Sequence, residues 1–325
     1  MNASRSPYLR PRSAGERALV SVGTMNFGKR TPATEAHRMV HRAIERGCTL
    51  FDTANAYEGG ESEKILGAAL KEKRGSDVMI ATKVGFGRTG GKLEGLSRAA
   101  IERAIDGSLS RLGVDVVDLY YLHVPDYETP IEESLAALFD LISRGKIRHF
   151  GVSNFASWQM LEIFRICDDA KQERPAVSQQ LYNLLIRQLD IEYFKFTKKH
   201  PIHTTTYNAL AGGLLARPHV KEDVTKGSRF DKNALYQKRY WSDHFFSFKS
   251  ALEDVANEAG MSLVDLAYAW LANRSGVDSI LVGAGTVLQF DQAVDAVAKN
   301  LDDSLMKKID ELSIAFAGTD ATYAR

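Results

Sequence analysis

VMIATKV (residues 78–84), SRAAIERAIDGSLSRL (97–112) and VVDLYYL (116–122) together decide the fold. The first and third are short and apolar, as strands buried on both faces are. Between them Ile101, Ile105, Leu109 and Leu112 recur at helical spacing on one face, and Gly113 follows as a stop. A strand, a helix and a second strand in this order make a parallel pair with a crossover.

The same rhythm runs outward in both directions. Upstream, the sequence predicts strands at 18–22 and 50–51 and helices from about 31 to 47 and over 61–71, with Pro32 in the first turn of the earlier helix. Downstream, Thr129 with Glu132 three residues on reads as a capping box for a helix that ends before Gly145. Strands follow at 149–152, 176–179, 202–206 and 279–282. Helices are predicted over 157–166, 190–198, 248–259, 263–272, 287–298 and 304–312, with a long loop over 215–241. Eight strands alternate with helices, and no polar linker divides them. The expected architecture is a single (β/α)8 barrel over 18–325 behind a flexible segment over 1–17. A doubly wound parallel sheet is the rival. In either fold, chemistry belongs at the carboxyl ends of the strands.

Composition narrows the partners. Lys and Arg number 42 against 41 Asp and Glu, so there is no global field to gather nucleic acid or an anionic membrane. Small molecules are the expected partners, and association of identical chains stays open. The two cysteines, Cys48 and Cys167, in helix-like stretches, build neither a disulfide framework nor a metal cluster, which suits a reducing, cytoplasmic setting. No run of about 18 apolar residues offers a membrane span, and the opening MNASRSPYLRPRSAGER lacks the apolar centre of a secretory signal. GFGRTG (85–90) satisfies G-x-G-x-x-G after a strand, yet the helical pattern starts only near Ser97. A dinucleotide turn needs its helix to begin within the motif, so this reads as a flexible loop.

Three neighbouring strands end on useful chemistry. Asp52 and then Tyr57 follow 50–51, Lys83 lies near the end of 78–84, and His123 follows 116–122. Each alone has a plain reading as turn cap, packing aromatic, solvated lysine or structural histidine. Together on one rim they suit carbonyl reduction. Hydride attack builds charge on the carbonyl oxygen, so a proton donor is required. A lysine beside a tyrosine lowers the phenol's pKa, an aspartate holds that lysine, and a neutral histidine orients the carbonyl. No stretch has metal-ligand spacing.

These residues sit in FDTANAY (51–57), GGESE (59–63), IATKVG (80–85), DLYYLHVPD (118–126), GKIRHFGVSNF (145–155), SQQLYN (178–183) and YNALAGGLL (207–215). In that order they resemble aldo-keto reductase signatures, and ESEKILG, HVPD, KRYW and the ending TYAR look most like the aflatoxin-aldehyde and succinic semialdehyde reductase branch. The resemblance implies reduction of an aldehyde or ketone with NADPH, or NADH, with Tyr57 as proton donor among Asp52, Lys83 and His123. It implies Ser153, Asn154 and Gln179 on the nicotinamide carboxamide and Tyr207 stacked on its ring. Leu210, Gly212 and Leu214 in the 210–215 loop, with Arg229, would cover the pyrophosphate. Gly283, Thr286 and Gln289 would meet the 2′-phosphate end, and Met25, Trp241, Arg239 and Arg325 would line the substrate mouth. Either arginine could take a substrate carboxylate bidentately.

The chain departs from the family pattern at several points. Ala209 replaces a proline, Ala293 an asparagine and Gln237 a basic residue, while Gly283, Ala284 and Gly285 offer a 2′-phosphate no polar side chain. NAD use is thereby opened. Two further functions share these motifs: an NAD-dependent alcohol or sugar dehydrogenase, and a cofactor-bound regulatory subunit like the channel-associated members.

Overall fold

The protein is described here by a computed structural model covering residues 6–71, 77–89 and 91–317. Eight parallel strands close into a barrel: β1 (Leu19–Gly23), β2 (Leu50–Asp52), β3 (Met79–Val84), β4 (Val117–Leu122), β5 (Ile147–Ser153), β6 (Val177–Leu181), β7 (His203–Tyr207) and β8 (Ser279–Val282). Closure is made where β1 pairs with both β2 (Val22 opposite Phe51) and β8 (Leu19 opposite Ser279). With no free edge, the doubly wound sheet is excluded.

The helices are α1 (Ala33–Glu45), α2 (Glu61–Lys71), α3 (Arg98–Leu112), α4 (Ile131–Ser143), α5 (Ser157–Asp169), α6 (Tyr193–Lys199), α7 (Ala234–Tyr240), α8 (Asp243–Glu258), α9 (Leu263–Asn273), α10 (Val287–Val297) and α11 (Asp303–Ala317). The first five and α9 and α10 pack side by side around the sheet, with α1 between α2 and α10. Strand alternation divides the side chains between two layers. Val20, Phe51, Ile80, Tyr120, Phe150 and Val152 face the helices, while Leu50, Ala81, Leu119, Tyr121 and Val177 fill the barrel.

Several sequence expectations give way here. The leading segment is anchored from Ser6 onward, not loose. Tyr8 and Leu9 are buried in the inner cluster with Leu50, Leu119, Tyr121 and Val177, and the Tyr8 hydroxyl donates to Val20 O at 2.8 Å. Asp278 then fastens the chain, accepting from the Arg12 amide at 2.8 Å and the Thr204 amide at 2.6 Å. Thr129 does not cap α4. Pro130 holds the cap position, and the Thr129 hydroxyl is drawn to the Asp126 carboxylate. The 215–241 loop contains α7, started by the Asn233 side chain on the Tyr236 amide. Cys48 lies past the end of α1, beyond the left-handed Gly47.

The GFGRTG stretch is a short antiparallel ribbon, Arg88–Thr89 against Lys92–Leu93. Gly90 itself lies outside the described residues.

Helix α2 comes very close to the end of α3 at one point. A Cβ on Gly67 would lie 2.3 Å from Leu112 O, a backbone atom that cannot step aside. On α3, a Cβ on Gly107 would meet only the flexible end of Arg111. Helix propensity favours Ala over Gly by about 1 kcal/mol at either position. Gly67→Ala should therefore lose about 1–3 kcal/mol through forced separation of the helices, while Gly107→Ala should be neutral or stabilising. Urea midpoints of the two variants check this, and equal shifts would contradict it.

Candidate active site

The residues at the carboxyl end of the barrel converge around one buried ion pair. Lys83, from β3, has no exposed surface, and its ammonium donates to Asp52 Oδ1 and, at 2.8 Å, to Thr53 O. The other Asp52 oxygen accepts from Gln179 Nε2 at 2.9 Å. Burial lowers the Lys83 pKa, and the attraction of Asp52 opposes that fall.

Two tyrosine rings flank the ammonium, with centroids 5.2 Å (Tyr57) and 5.5 Å (Tyr121) from Nζ. Tyr57 opens a short turn, Tyr57–Gly60, after β2, in which Glu58 and Gly59 take left-handed backbone. Tyr121 lies inside the barrel opposite Gly151, where a Cβ would come within 2.7 Å of its ring. The sequence reading missed Tyr121. Its inward register, two residues before His123, was the available signal.

His123 follows β4, and its ring lies 5.9 Å from that of Tyr57, edge to face at 81°. Its Nδ1 is buried without a partner. Burial, and then the Lys83 charge, push the imidazole pKa well below its ordinary value, so the ring is neutral. The phenol of Tyr57 departs from expectation. Burial, and then the Asp52 charge, raise it well above its ordinary pKa. The sequence reading has Lys83 lowering the phenol and Asp52 holding that lysine; Asp52 does hold it, and burial of the phenol prevails.

The mouth of the site is built by the next strands. Asn154, in the left-handed conformation after β5 (φ 65°), donates to His123 O at 3.0 Å and accepts from the Tyr207 hydroxyl at 2.6 Å. Ser153 lies beneath it, its Oγ 3.0 Å from Asn154 Nδ2. Burial pushes the Tyr207 phenol up to about 12. Past β7, Asn208 accepts from the Gly212 amide at 2.7 Å and holds the 210–215 turn. A Cβ on Gly212 would meet the Tyr236 ring at 2.7 Å, and Leu214 is fully buried, so this turn can offer a ligand chiefly backbone. Leu210 is half-buried at its start.

Arg229 spans two loops. It donates to Asn26 Oδ1 at 2.6 Å and to the Tyr236 hydroxyl at 3.2 Å, with Met25 Sδ 3.7 Å away. Asn26 in turn donates to Gly283 O at 3.0 Å, so the loops after β1, β7 and β8 are joined. Thr286 caps α10 by accepting from the Gln289 amide, and the Gln289 side chain accepts from the Gly285 amide at 2.9 Å.

Not every expected residue joins this group. Trp241 donates to Lys221 O at 2.8 Å and packs against Phe230, Phe246 and His219 beneath the long loop. Its ring is committed to that packing. Arg239 lines a groove of about 540 Å³ with Asn154, Leu181, Ile186, Gln188 and Phe245. Arg325 lies outside the described residues.

Phe86 was missed. It is 43% exposed yet stands 5.2 Å from the His123 ring, because Glu94 folds the 85–94 loop inward. That carboxylate accepts from the Gly85 amide (2.7 Å), the Gly87 amide (3.0 Å) and Asn55 Nδ2 (3.0 Å). Among the described residues no cluster of His, Cys, Asp and Glu could hold a metal ion, and no helix is long and apolar enough to cross a membrane.

A closed parallel barrel thus carries Tyr57, Lys83, Asp52 and His123 together on one rim. Residues 19–314 match the aldo/keto reductase family, and the chain belongs to it. It is 34% identical over 292 residues to human aflatoxin B1 aldehyde reductase member 2, covering 85% of this chain and 80% of that one. It is 33% identical over 278 residues to a probable voltage-gated potassium channel subunit beta of Arabidopsis thaliana, covering 84% and 85%. Among solved structures it resembles a glycerol dehydrogenase of Gluconobacter oxydans, with a TM-score of 0.76, 28% identity and coverage of 97% and 98%. The protein is accordingly an enzyme of nicotinamide-dependent carbonyl chemistry on small molecules.

Glu94 organises the loop that carries Phe86 through three hydrogen bonds to one carboxylate. Glu94→Ala should release the loop and raise hydrogen exchange at the Gly85 and Gly87 amides by about tenfold or more, leaving β3 and β4 protected. Unchanged exchange at both amides would show that Glu94 does not hold the loop.

Proposed function

We propose that the enzyme reduces a short aldehyde or ketone to an alcohol, with Tyr57 as the proton donor. One observation carries this reading: a phenol, an ammonium, a carboxylate and a neutral imidazole meet at one rim, with Lys83 Nζ 5.2 Å from the Tyr57 ring and His123 edge-on to it. The surrounding donor set fits a nicotinamide, because a hydroxyl (Ser153), two amides (Asn154, Gln179) and an aromatic ring (Tyr207) offer hydrogen bonds and a flat face. When bound, the reduced nicotinamide supplies the hydride.

The chain's own groups do the rest. His123, uncharged, donates a hydrogen bond to the carbonyl oxygen. As that oxygen gains negative charge, the Tyr57 hydroxyl transfers its proton to it, and the alcohol forms. Lys83, held by Asp52, faces the phenolate left behind until solvent returns a proton. Leu210, Gly212 and Leu214 with Arg229 would lie over the pyrophosphate, and Gly283, Thr286 and Gln289 at the adenosine end. Met25, Phe86 and Arg239 would border the substrate, and Arg239 favours a carboxylate-bearing aldehyde such as succinic semialdehyde. The same groups run the reverse oxidation. The channel-subunit names of some relatives raise a regulatory role, and turnover by the isolated protein separates the two.

Tyr57→Phe should lower kcat/KM for reduction by about 10²–10⁴-fold, the usual contribution of a general acid, while leaving cofactor Kd nearly unchanged. A loss under about threefold removes Tyr57 from the donor role.

The pKa directions add a second expectation. Reduction needs Tyr57 protonated, so rate falls only as pH rises through its pKa, which lies above the ordinary value near 10. His123 gains charge only as pH falls through a pKa below the ordinary value near 6.5. The kcat/KM profile, which reports the free enzyme, should be flat from about pH 6.5 to 9. A limb inside that window from either residue would contradict the assignment.

A further inference from the structure

The loop after β8 contrasts with the rest of the rim. Gly283, Ala284 and Gly285 present nothing larger than a methyl group, and a Cβ on Gly283 would meet only Gly23 O at 3.9 Å. Beyond them, three amides about the start of α10, those of Gly285, Val287 and Gln289, are already taken by this chain's own oxygens. The Gly285 amide donates to Gln289 Oε1 at 2.9 Å, and the Gln289 amide to Thr286 Oγ1 at 3.3 Å. The Val287 amide donates at 2.8 Å to Glu35 Oε1, from the first turn of α1.

Glu35 is the one charged group among these acceptors. Its side chain is 16% exposed, and its second oxygen is held by Arg38, whose own side chain is 74% exposed and turned to solvent. The start of a helix attracts a single anion through its free amides and dipole. At α10 that anion is a protein carboxylate.

We propose that Glu35 is a specificity-determining residue that selects NADH over NADPH. The proposal rests on the reading above, that the adenosine end of the cofactor lies against residues 283–289. The two cofactors differ only at the 2′ position of that ribose. A 2′-phosphate brings about two negative charges to a loop whose own residues 283–286 carry no cation, beside a carboxylate that shares its charge with Arg38 on the solvent side. It must displace Glu35 or bear its repulsion, and like charges set together cost several kcal/mol. A 2′-hydroxyl brings no charge, and it can donate to a carboxylate. Glycines at 283 and 285 leave room for either ribose, so charge rather than volume makes the choice.

The test measures Kd for NADH and NADPH by quenching of tryptophan fluorescence, in the wild type, Glu35→Gln and Glu35→Asp, with turnover not required. The wild type is expected to bind NADH tighter by about tenfold or more. Glu35→Gln keeps an acceptor for the Val287 amide but removes the charge. It should tighten NADPH by about tenfold and leave NADH within about threefold. Glu35→Asp keeps the charge and should keep the NADH preference, which separates charge from any loss of folding. A wild type that prefers NADPH, or a preference unmoved by Glu35→Gln, overturns the proposal while the reductase reading stands. Binding of neither dinucleotide would overturn both.

Discussion

The Lys83–Asp52 pair is the constraint around which the barrel is arranged. Taking two charges out of water costs several kcal/mol for each ion, and stripping one partner from such a pair costs about 3–5 kcal/mol. The fold meets this cost with saturation. Asp52 accepts from Lys83 and Gln179, and Lys83 also donates to Thr53 O. The rings of Tyr57 and Tyr121 present negative faces to the ammonium. Four strands, β2, β3, β4 and β6, must keep register for these groups to meet. Gly151 on β5 must lack a side chain so that Tyr121 fits.

Above that layer the rim is stitched together by side chains reaching from one loop to the next. Asn154 links β4 to β7 through His123 O and the Tyr207 hydroxyl. Asn26 and Arg229 join the loops after β1, β7 and β8, and Glu94 binds its own loop to Asn55 after β2. Two asparagines, Asn154 and Asn208, take left-handed backbone at strand ends, a conformation that asparagine tolerates better than most residues. The loops are thus tied to one another by polar side chains, over aromatic packing such as that of Trp241 and Phe230 beneath the long loop.

What could be read from the sequence follows from range. The strands and most helices were legible because their signals are local: periodic Ile101, Ile105, Leu109 and Leu112, or the run at 78–84. The four rim residues were legible because each sits beside a strand end. Two features were not. The segment before β1 looked loose until Asp278, far along the chain, met the Arg12 amide. Thr129 carried a capping pattern, but Pro130 and Asp126 outcompete it.

The seam between β1 and β8 joins residues 19–22 to residues 279–282, and the fastening of Arg12 by Asp278 lies beside it. A chain leaving the ribosome therefore carries β1 with one edge unpaired until residues 279–282 have been made. Contacts this far apart in sequence form slowly, since loop entropy must be overcome first. Until β8 arrives, the growing barrel is an open parallel sheet with two adhesive margins. Yield in a cell will hinge on how those margins are shielded until β8 is made. That problem belongs to assembly, not to the finished enzyme, whose closed sheet has erased every trace of it.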